Sequence, residues 1–346
     1  MPRRGNSACR SGVRAPATVA RMPRAIAALI GALILVCTLV WTGVARAQDY
    51  PTRAIKIVVP FPAGGTADVV PRIIADWLSR QWKQPIVIDN RAGAAGNIGA
   101  EFVAKADPDG YTLLAAPPPP LVINQNLYPH LEFDPRRLVP IVVIARVPNA
   151  LVVNPDRIAA TTTRDFIAHA AANPGKVTNA TQGNGTTSHL TSELFQMMAH
   201  VKLQNVPYRG SAPALNDLVG GNVDCMFDNL GVSLQLVKAG KLRLVAVASA
   251  QRMSTLPDVP AIAETLPGFE AAAWYAIAGP PGTPGAVVEK INSGVNAALR
   301  DPDIRKRLSE LSADTVGGTP QATADYFAAE TKRWQDVITS AHVTLD

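Results

Sequence analysis

The sequence predicts an α/β protein on a largely parallel sheet, because strand-like and helix-like runs alternate along most of its length. Two Pro/Gly-rich loops agree with that class, since each joins a β-type run to a helical pattern. No fixed-period repeat interrupts the alternation. Ile55 to Val59 reads as the first strand, Asp68 to Gln81 as a helix, Pro85 to Asp89 as a strand, Gly96 to Ala106 as a helix and Tyr111 to Ala115 as a strand. Ile141 to Ala145 and Leu151 to Val153 read as two further short strands. The cycle then restarts with a helix over Thr163 to Ala172, a strand over Lys176 to Thr181 and a helix over His189 to Ala199. Strands over Val206 to Tyr208, Cys225 to Asp228 and Leu244 to Ala248 alternate with helices over Ala212 to Val219 and Val232 to Ala239. From Pro284 onward the tail is mainly helical, with long members over Val287 to Leu299 and Thr323 to Thr339.

The first 47 residues follow a different logic. Six arginines and no acid occupy Met1 to Arg24, Ala25 to Val44 is almost wholly apolar, and Ala45-Arg46-Ala47 has the small-x-small form of a leader-peptidase site. The expectation is an export signal, residues 1–47, cut after Ala47 and sending the mature chain to the periplasm; an apolar run of about 20 residues also suits a membrane anchor. Arg3-Arg4 lacks the apolar pair of a twin-arginine signal, which favours the general secretory route. This segment carries seven of the 33 Lys and Arg and none of the 27 Asp and Glu, so the remaining 299 residues are near neutral at −1. A surplus of basic charge for nucleic acid is absent. Only Cys225 remains of the three cysteines, which leaves no internal disulfide and makes stability a matter of burial.

Two loops carry the chemistry. Val58 to Asp68 is an apolar strand that breaks at Pro60-Phe61-Pro62-Ala63-Gly64-Gly65 and enters a helix, which aims backbone N–H groups at one point beside the positive end of a helix dipole. Val177 to His189 repeats the device, with Gly183-Asn184-Gly185-Thr186-Thr187-Ser188-His189 at a helix start. Two facing cradles suit a small molecule bearing carboxylates. Gly64 and Gly65 let the backbone approach an anion closely, and Gly65 is expected to sit at positive φ. Pro71 is tolerated in the first turn if Asp68 is the N-cap, which places the Asp68 side chain at the cradle mouth.

Catalytic patterns are missing where they were sought. The chain has no G-x-S-x-G elbow, no H-E-x-x-H and no phosphate loop of the G-x-x-x-x-G-K-[ST] form. Gly93, Gly96 and Gly99 are spaced by three, which fits a helix start with close packing rather than a dinucleotide fingerprint. The five histidines show no ligand pairing, so no metal and no cofactor are expected. Cys225, in an apolar run, reads as a buried small hydrophobe.

In this order and spacing, the segments VPFPAGGTAD (59–68), DNRAGAAGNIGAEFVAKADPDGYTLL (89–114), GNGTTSHLTSELF (183–195), VPYRGSAPALNDLVGGNVDCMFDN (206–229), LPDVPAIAE (256–264) and GFEAAAW (268–274) resemble the tripartite tricarboxylate transporter receptors, the Bug family. The resemblance runs from about Tyr50 to Asp346. It implies a two-lobed Venus-flytrap of the type II periplasmic kind, with lobe 1 over residues 48–150 and 270–346 and lobe 2 over residues 151–269. It further implies a monomeric, non-enzymatic receptor that holds a carboxylate between the lobes, largely by main-chain groups and waters, and delivers it to membrane permease subunits. A secreted enzyme or a ligand sensor on the same fold is the alternative. Carried onto this sequence, the ligand residues are Phe61, Pro62, Ala63, Gly64, Gly65 and Asp68 in one lobe and Gly183, Asn184, Gly185, Thr186, Thr187, Ser188 and His189 in the other. Asp228 faces the cleft in the family pattern, where it repels a carboxylate unless an amine, hydroxyl or water intervenes. The chain departs from its relatives at Pro117 to Pro120, either a rigid spacer or a pocket wall without N–H donors, and as a wall it favours a less polar ligand.

Overall fold

The computed structural model describes residues 50–340 and 343; the predicted signal segment, residues 1–47, lies outside them. Ile55–Val59 (β1) is buried at every position but Lys56, as a strand covered on both faces must be, and leads into the helix Thr66–Trp82 (α1). Ile86–Asn90 (β2), Asn97–Ala104 (α2), Thr112–Ala116 (β3) and Val139–Val153 (β4) follow. Next come Thr163–Ala172 (α3), Thr178–Thr181 (β5), Thr187–Ala199 (α4), Gln204–Pro207 (β6), Ser211–Val219 (α5), Cys225–Asn229 (β7), Leu230–Lys238 (α6) and Arg243–Val247 (β8). The chain closes with Ala272–Gly279 (β9), Gly285–Arg300 (α7), Pro302–Ser309 (α8), Asp314–Gly317 (β10) and Pro320–Ser340 (α9).

The strands form one sheet in the order β2-β1-β3-β9-β4-β7-β5-β6, with β8 and β10 also on β4. It is mixed, which corrects the largely parallel sheet predicted. The pairs β1–β2, β1–β3, β5–β6 and β5–β7 are parallel, while every pairing of β4 and β9 is antiparallel. The physical reason lies in β4, a continuous strand of 15 residues where the sequence predicts two short ones. Up to Pro148 it pairs with β9; from Asn149 it pairs with β7 and β8 instead. Pro140 stands beside a register shift and Pro148 at the change of partner, places where a missing N–H costs the ladder little. The sequence reading has no strand over β9, because Trp274, Tyr275 and Ile277 stand among alanines, which carry little β preference; all eight of its residues are buried at the sheet centre.

Each side of the sheet has its own aromatic packing. Phe195 is ringed by Phe166, Phe227 and Phe269 at centroid distances of 5.7, 5.0 and 6.1 Å, which anchors β7. Trp274 of β9 lies opposite Arg146 of β4, stacks on Phe327 of α9 and donates its indole N–H to Glu330. Cys225 is buried, and burial drives its thiol pKa up.

Candidate ligand-binding site

A cavity of about 590 Å³ opens between the loops that follow the strand ends of the two sides of the sheet, a size suited to a small metabolite. One side contributes Pro60, Phe61, Pro62 and the loop Ala92 to Gly96; the other contributes Gln182, Gly183, Asn184 and Pro207, Tyr208, Arg209. Its floor narrows between Gly65 and Ala67 on one side and Gly210, Ser211 and Ala212 on the other. Gly65 is the N-cap of α1 and Gly210 that of α5, and neither helix has a side-chain cap. The two ends nearly touch, since a Cβ on Gly65 would lie 3.6 Å from that of Ser211. Two helix N-termini with unclaimed N–H groups thus converge on one point, and their dipoles favour an anion there.

That pairing differs from the predicted one. The sequence places the second cradle at α4, where side chains claim part of the helix start: Thr186 Oγ1 accepts the His189 N–H at 3.4 Å, and His189 Nδ1 accepts the Gly185 N–H at 3.3 Å. Thr187 and Ser188 are buried away from the cavity. Burial lowers the His189 pKa to about 4, so the ring is neutral and serves as an acceptor, not as a cation for a ligand. The signal for α5 was present in Arg209-Gly210-Ser211, again a glycine ahead of a helix start.

Asp68 is likewise reassigned. Helix α1 begins at Thr66 and Gly65 is its N-cap, so Asp68 lies in the first turn and Pro71 inside the helix, against the predicted N-cap at Asp68. Its carboxylate is turned inward, where it accepts from the Gly64 N–H at 3.0 Å, from Arg72 and from Asn90, whose amide also donates to the Phe61 carbonyl. Burial pushes the Asp68 pKa up, but Arg72, Asn90 and Gly64 outweigh it and hold the group below its ordinary value. Asp68 therefore fills part of the anion cradle itself and ties the loop to β2. Positive φ falls on Gly64, at 90°, whereas Gly65 is extended at −84°. Ala63 and Gly64 are exposed outside the cavity lining.

Of the predicted site residues, the structure brings Phe61, Pro62, Gly183 and Asn184 to the cavity wall and Gly65 to its floor. The loop Ala92 to Gly96, Ile98, Tyr128, Gln182 and Pro207 to Ser211 are additions that the sequence reading missed. Gly93 and Gly96 both have positive φ, and Gly99 packs so that a Cβ would meet Pro60 at 2.8 Å. The Pro117 to Pro120 run is buried outside the cavity lining, with Pro120 behind Gly96, so these prolines do not make the wall that the sequence allowed for. The wall is apolar for another reason, the presence of Phe61, Ala95, Ile98, Tyr128 and Tyr208.

Asp228, at the end of β7, is fully buried beneath the floor, with Oδ1 accepting from Gln182 at 2.8 Å and Ser211 at 3.1 Å and Oδ2 unpartnered. Burial raises its pKa to about 6, against hydrogen bonds from Gln182 and Ser211 that lower it. The unfolded carboxyl titrates near 3.8, so between about pH 4 and 6 the folded state holds a proton that the unfolded state has lost. Stability from this source is complete below that range and is lost as pH rises through 6. His189 runs oppositely, contributing above 6.5 and less as pH falls towards 4, but it is common to wild type and variant. Asp228→Asn is expected to gain stability relative to wild type between pH 4 and pH 8, by on the order of 2 kcal/mol. Urea melts at the two pH values check this; a difference that does not grow with pH rules out a costly buried charge.

The fold and cleft define a class of protein, the two-lobed Venus-flytrap of the type II periplasmic-binding kind. Comparison with solved structures agrees: R. palustris Rpa4515 with adipate superposes with a TM-score of 0.83 at 40% identity over 85% of this chain and 99% of that one. MatC (Rpa3494) from Rhodopseudomonas palustris with bound malate gives 0.79 at 32% identity over 84% and 100%. BugT of Bordetella pertussis is 37% identical over 84% of this chain and 90% of its own. The family model described as tripartite tricarboxylate transporter family receptor matches residues 70–343, and the chain belongs to that receptor family, the Bug solute-binding proteins. Among the described residues no helix is long and apolar enough to cross a membrane.

Proposed function

We propose that the protein is a periplasmic solute-binding receptor that captures a small carboxylate between two lobes, residues 48–150 with 270–346 and residues 151–269, and delivers it to the permease subunits of a tripartite tricarboxylate-type transporter. The observation that carries this reading is the convergence of the uncapped N-termini of α1 and α5 on the narrow floor of the cavity. A carboxylate there accepts main-chain N–H bonds from both sides while its carbon chain rests against Phe61, Ile98 and Tyr208. Adipate and malate in the relatives' structures support that chemistry. Phe61, Pro62, Gly65, Gly183 and Asn184 are the predicted residues proposed to meet the ligand. Asp68, His189 and Asp228 hold the loops beneath it.

Transport follows from the hinge. β4 changes partners at Pro148–Asn149, so a ligand bridging both sides favours the closed arrangement by its differential affinity, and a permease reads loaded from empty receptor by that shape. The chain acts as a monomeric binder rather than an enzyme, exported by the signal in residues 1–47. A cognate carboxylate is expected to stabilise the fold by about 2.7 kcal/mol at 100 times its dissociation constant, an upward melting shift of several degrees, roughly. A thermal-shift screen of mono- and dicarboxylates tests it. Silence across the acids with a response to a cation or neutral sugar sinks the reading.

A further inference from the structure

The amide of Gln182 is held in one orientation by a relay that starts at a main-chain carbonyl. Asn149, at the partner change of β4, donates from Nδ2 to the Thr187 carbonyl at 3.1 Å, so its Oδ1 is the atom left to accept. Asn229 Nδ2 donates to that oxygen at 2.6 Å, which turns Asn229 Oδ1 towards Gln182. Gln182 Nε2 donates to Asn229 Oδ1 at 2.8 Å and to Asp228 Oδ1 at 2.8 Å; Tyr275 adds its hydroxyl to Asn229 Oδ1 at 3.3 Å. Each amide's orientation follows from its partner's, and the first is set by an oxygen that cannot flip. Both Gln182 donors face acceptors, so the only polar atom that Gln182 has left is Oε1. Gln182 lines both the cavity and its floor, and Oε1 takes no hydrogen bond from any described residue.

We propose that Gln182 is a specificity-determining residue that presents a fixed hydrogen-bond acceptor to the ligand, so that the preferred carboxylate carries a donor, a hydroxyl or amine, on its carbon chain; this rests on the carboxylate-receptor reading. A carboxylate oxygen against Oε1 would set two acceptors together with no proton between them. A bare methylene would leave the oxygen unpaired in a cavity emptied of water, and a hydroxyl or amine satisfies it. The buried Asp228 acts through Gln182 here, since the amide lies between its carboxylate and the cavity.

Isothermal titration of the mature protein with matched acids tests the inference: succinate against malate and aspartate, glutarate against 2-hydroxyglutarate and glutamate, adipate against 2-hydroxyadipate and 2-aminoadipate. At least one substituted acid is expected to bind about tenfold tighter than its parent. The ratio is expected to fall to about one in Gln182→Met, which keeps the length but has no acceptor oxygen, and in Gln182→Ala, with thermal melts confirming that each variant folds. The hydroxy and amino arms identify the donor. Parents that bind as tightly as their substituted partners, or a preference that survives both substitutions, overturn the inference and leave the receptor reading standing. Failure of every acid to bind removes both.

Discussion

Gly183→Val is expected to weaken carboxylate binding by about a hundredfold or more, the equivalent of ~2.7 kcal/mol. Gly183 has φ of 121°, a region that costs a β-branched residue on the order of 1–3 kcal/mol. A Cβ there would sit 3.1 Å from the Tyr208 carbonyl, and backbone cannot yield as a flexible side chain can. Tyr208 precedes Arg209 and Gly210, so the displacement is passed to the N-terminus of α5, half of the proposed anion site, while the valine methyls enter the cavity. Ser188→Ala is the matched control. Ser188 lies in the first turn of α4, buried and outside the cavity, so its loss should leave affinity within about twofold. Calorimetry on both variants decides, with circular dichroism confirming the fold. A Gly183→Val protein that binds within about threefold of wild type would place recognition elsewhere.

Glu330→Leu is expected to destabilise the fold by about 3 kcal/mol, because one side chain serves two buried indoles. Glu330 of α9 accepts from Trp274 Nε1 at 2.8 Å and from Trp334 Nε1 at 3.2 Å, and its second oxygen accepts from Arg333 at 3.1 Å. Both tryptophans are at most 1% exposed, so removal of the acceptor strands two donors where water cannot replace it. The consequence reaches β4. Trp274 is paired across the sheet with Arg146 of β4, Arg146 is bound to Glu270, and Arg333 donates to the Glu270 carbonyl, so α9 braces the strands that join the two sides. A melting temperature about 6 °C lower is the expected result for a chain of this size. A shift below about 1 °C would mean that the indoles find other partners. Glu330→Gln should recover much of the loss, since its amide oxygen can still accept.

The alternation of β-type and helical runs was enough to place β1, α1, β2, α2 and β3 to within a few residues, because buried strands and amphipathic helices write their periods into the chain. The motifs did more, since Phe61, Pro62, Gly65, Gly183 and Asn184 do reach the cavity and its floor. What failed has a common cause. In β9 the strand formers Trp274, Tyr275 and Ile277 are diluted by four alanines and a glycine, and only pairing with β3 and β4 fixes the run as a strand. β4 was cut in two because a proline looks like a break until a change of partners is seen beside it.

The sequence by itself determined the fold class, the family and the kind of chemistry, a pair of glycine-led helix starts able to receive an anion. Only the tertiary structure decided which helix starts come together, those of α1 and α5. How far an N-terminus is free depends on where nearby side chains point: at α4 the Thr186 hydroxyl takes the His189 N–H and the His189 ring the Gly185 N–H, at α1 Asp68 takes the Gly64 N–H, and at α5 no side-chain cap is made. The orientation of Gln182 is likewise beyond any reading of one dimension. It is imposed through Asn229 and Asn149, residues 47 and 33 positions away in the chain, because an amide has two unlike ends and only its neighbours in space decide which one faces the cavity.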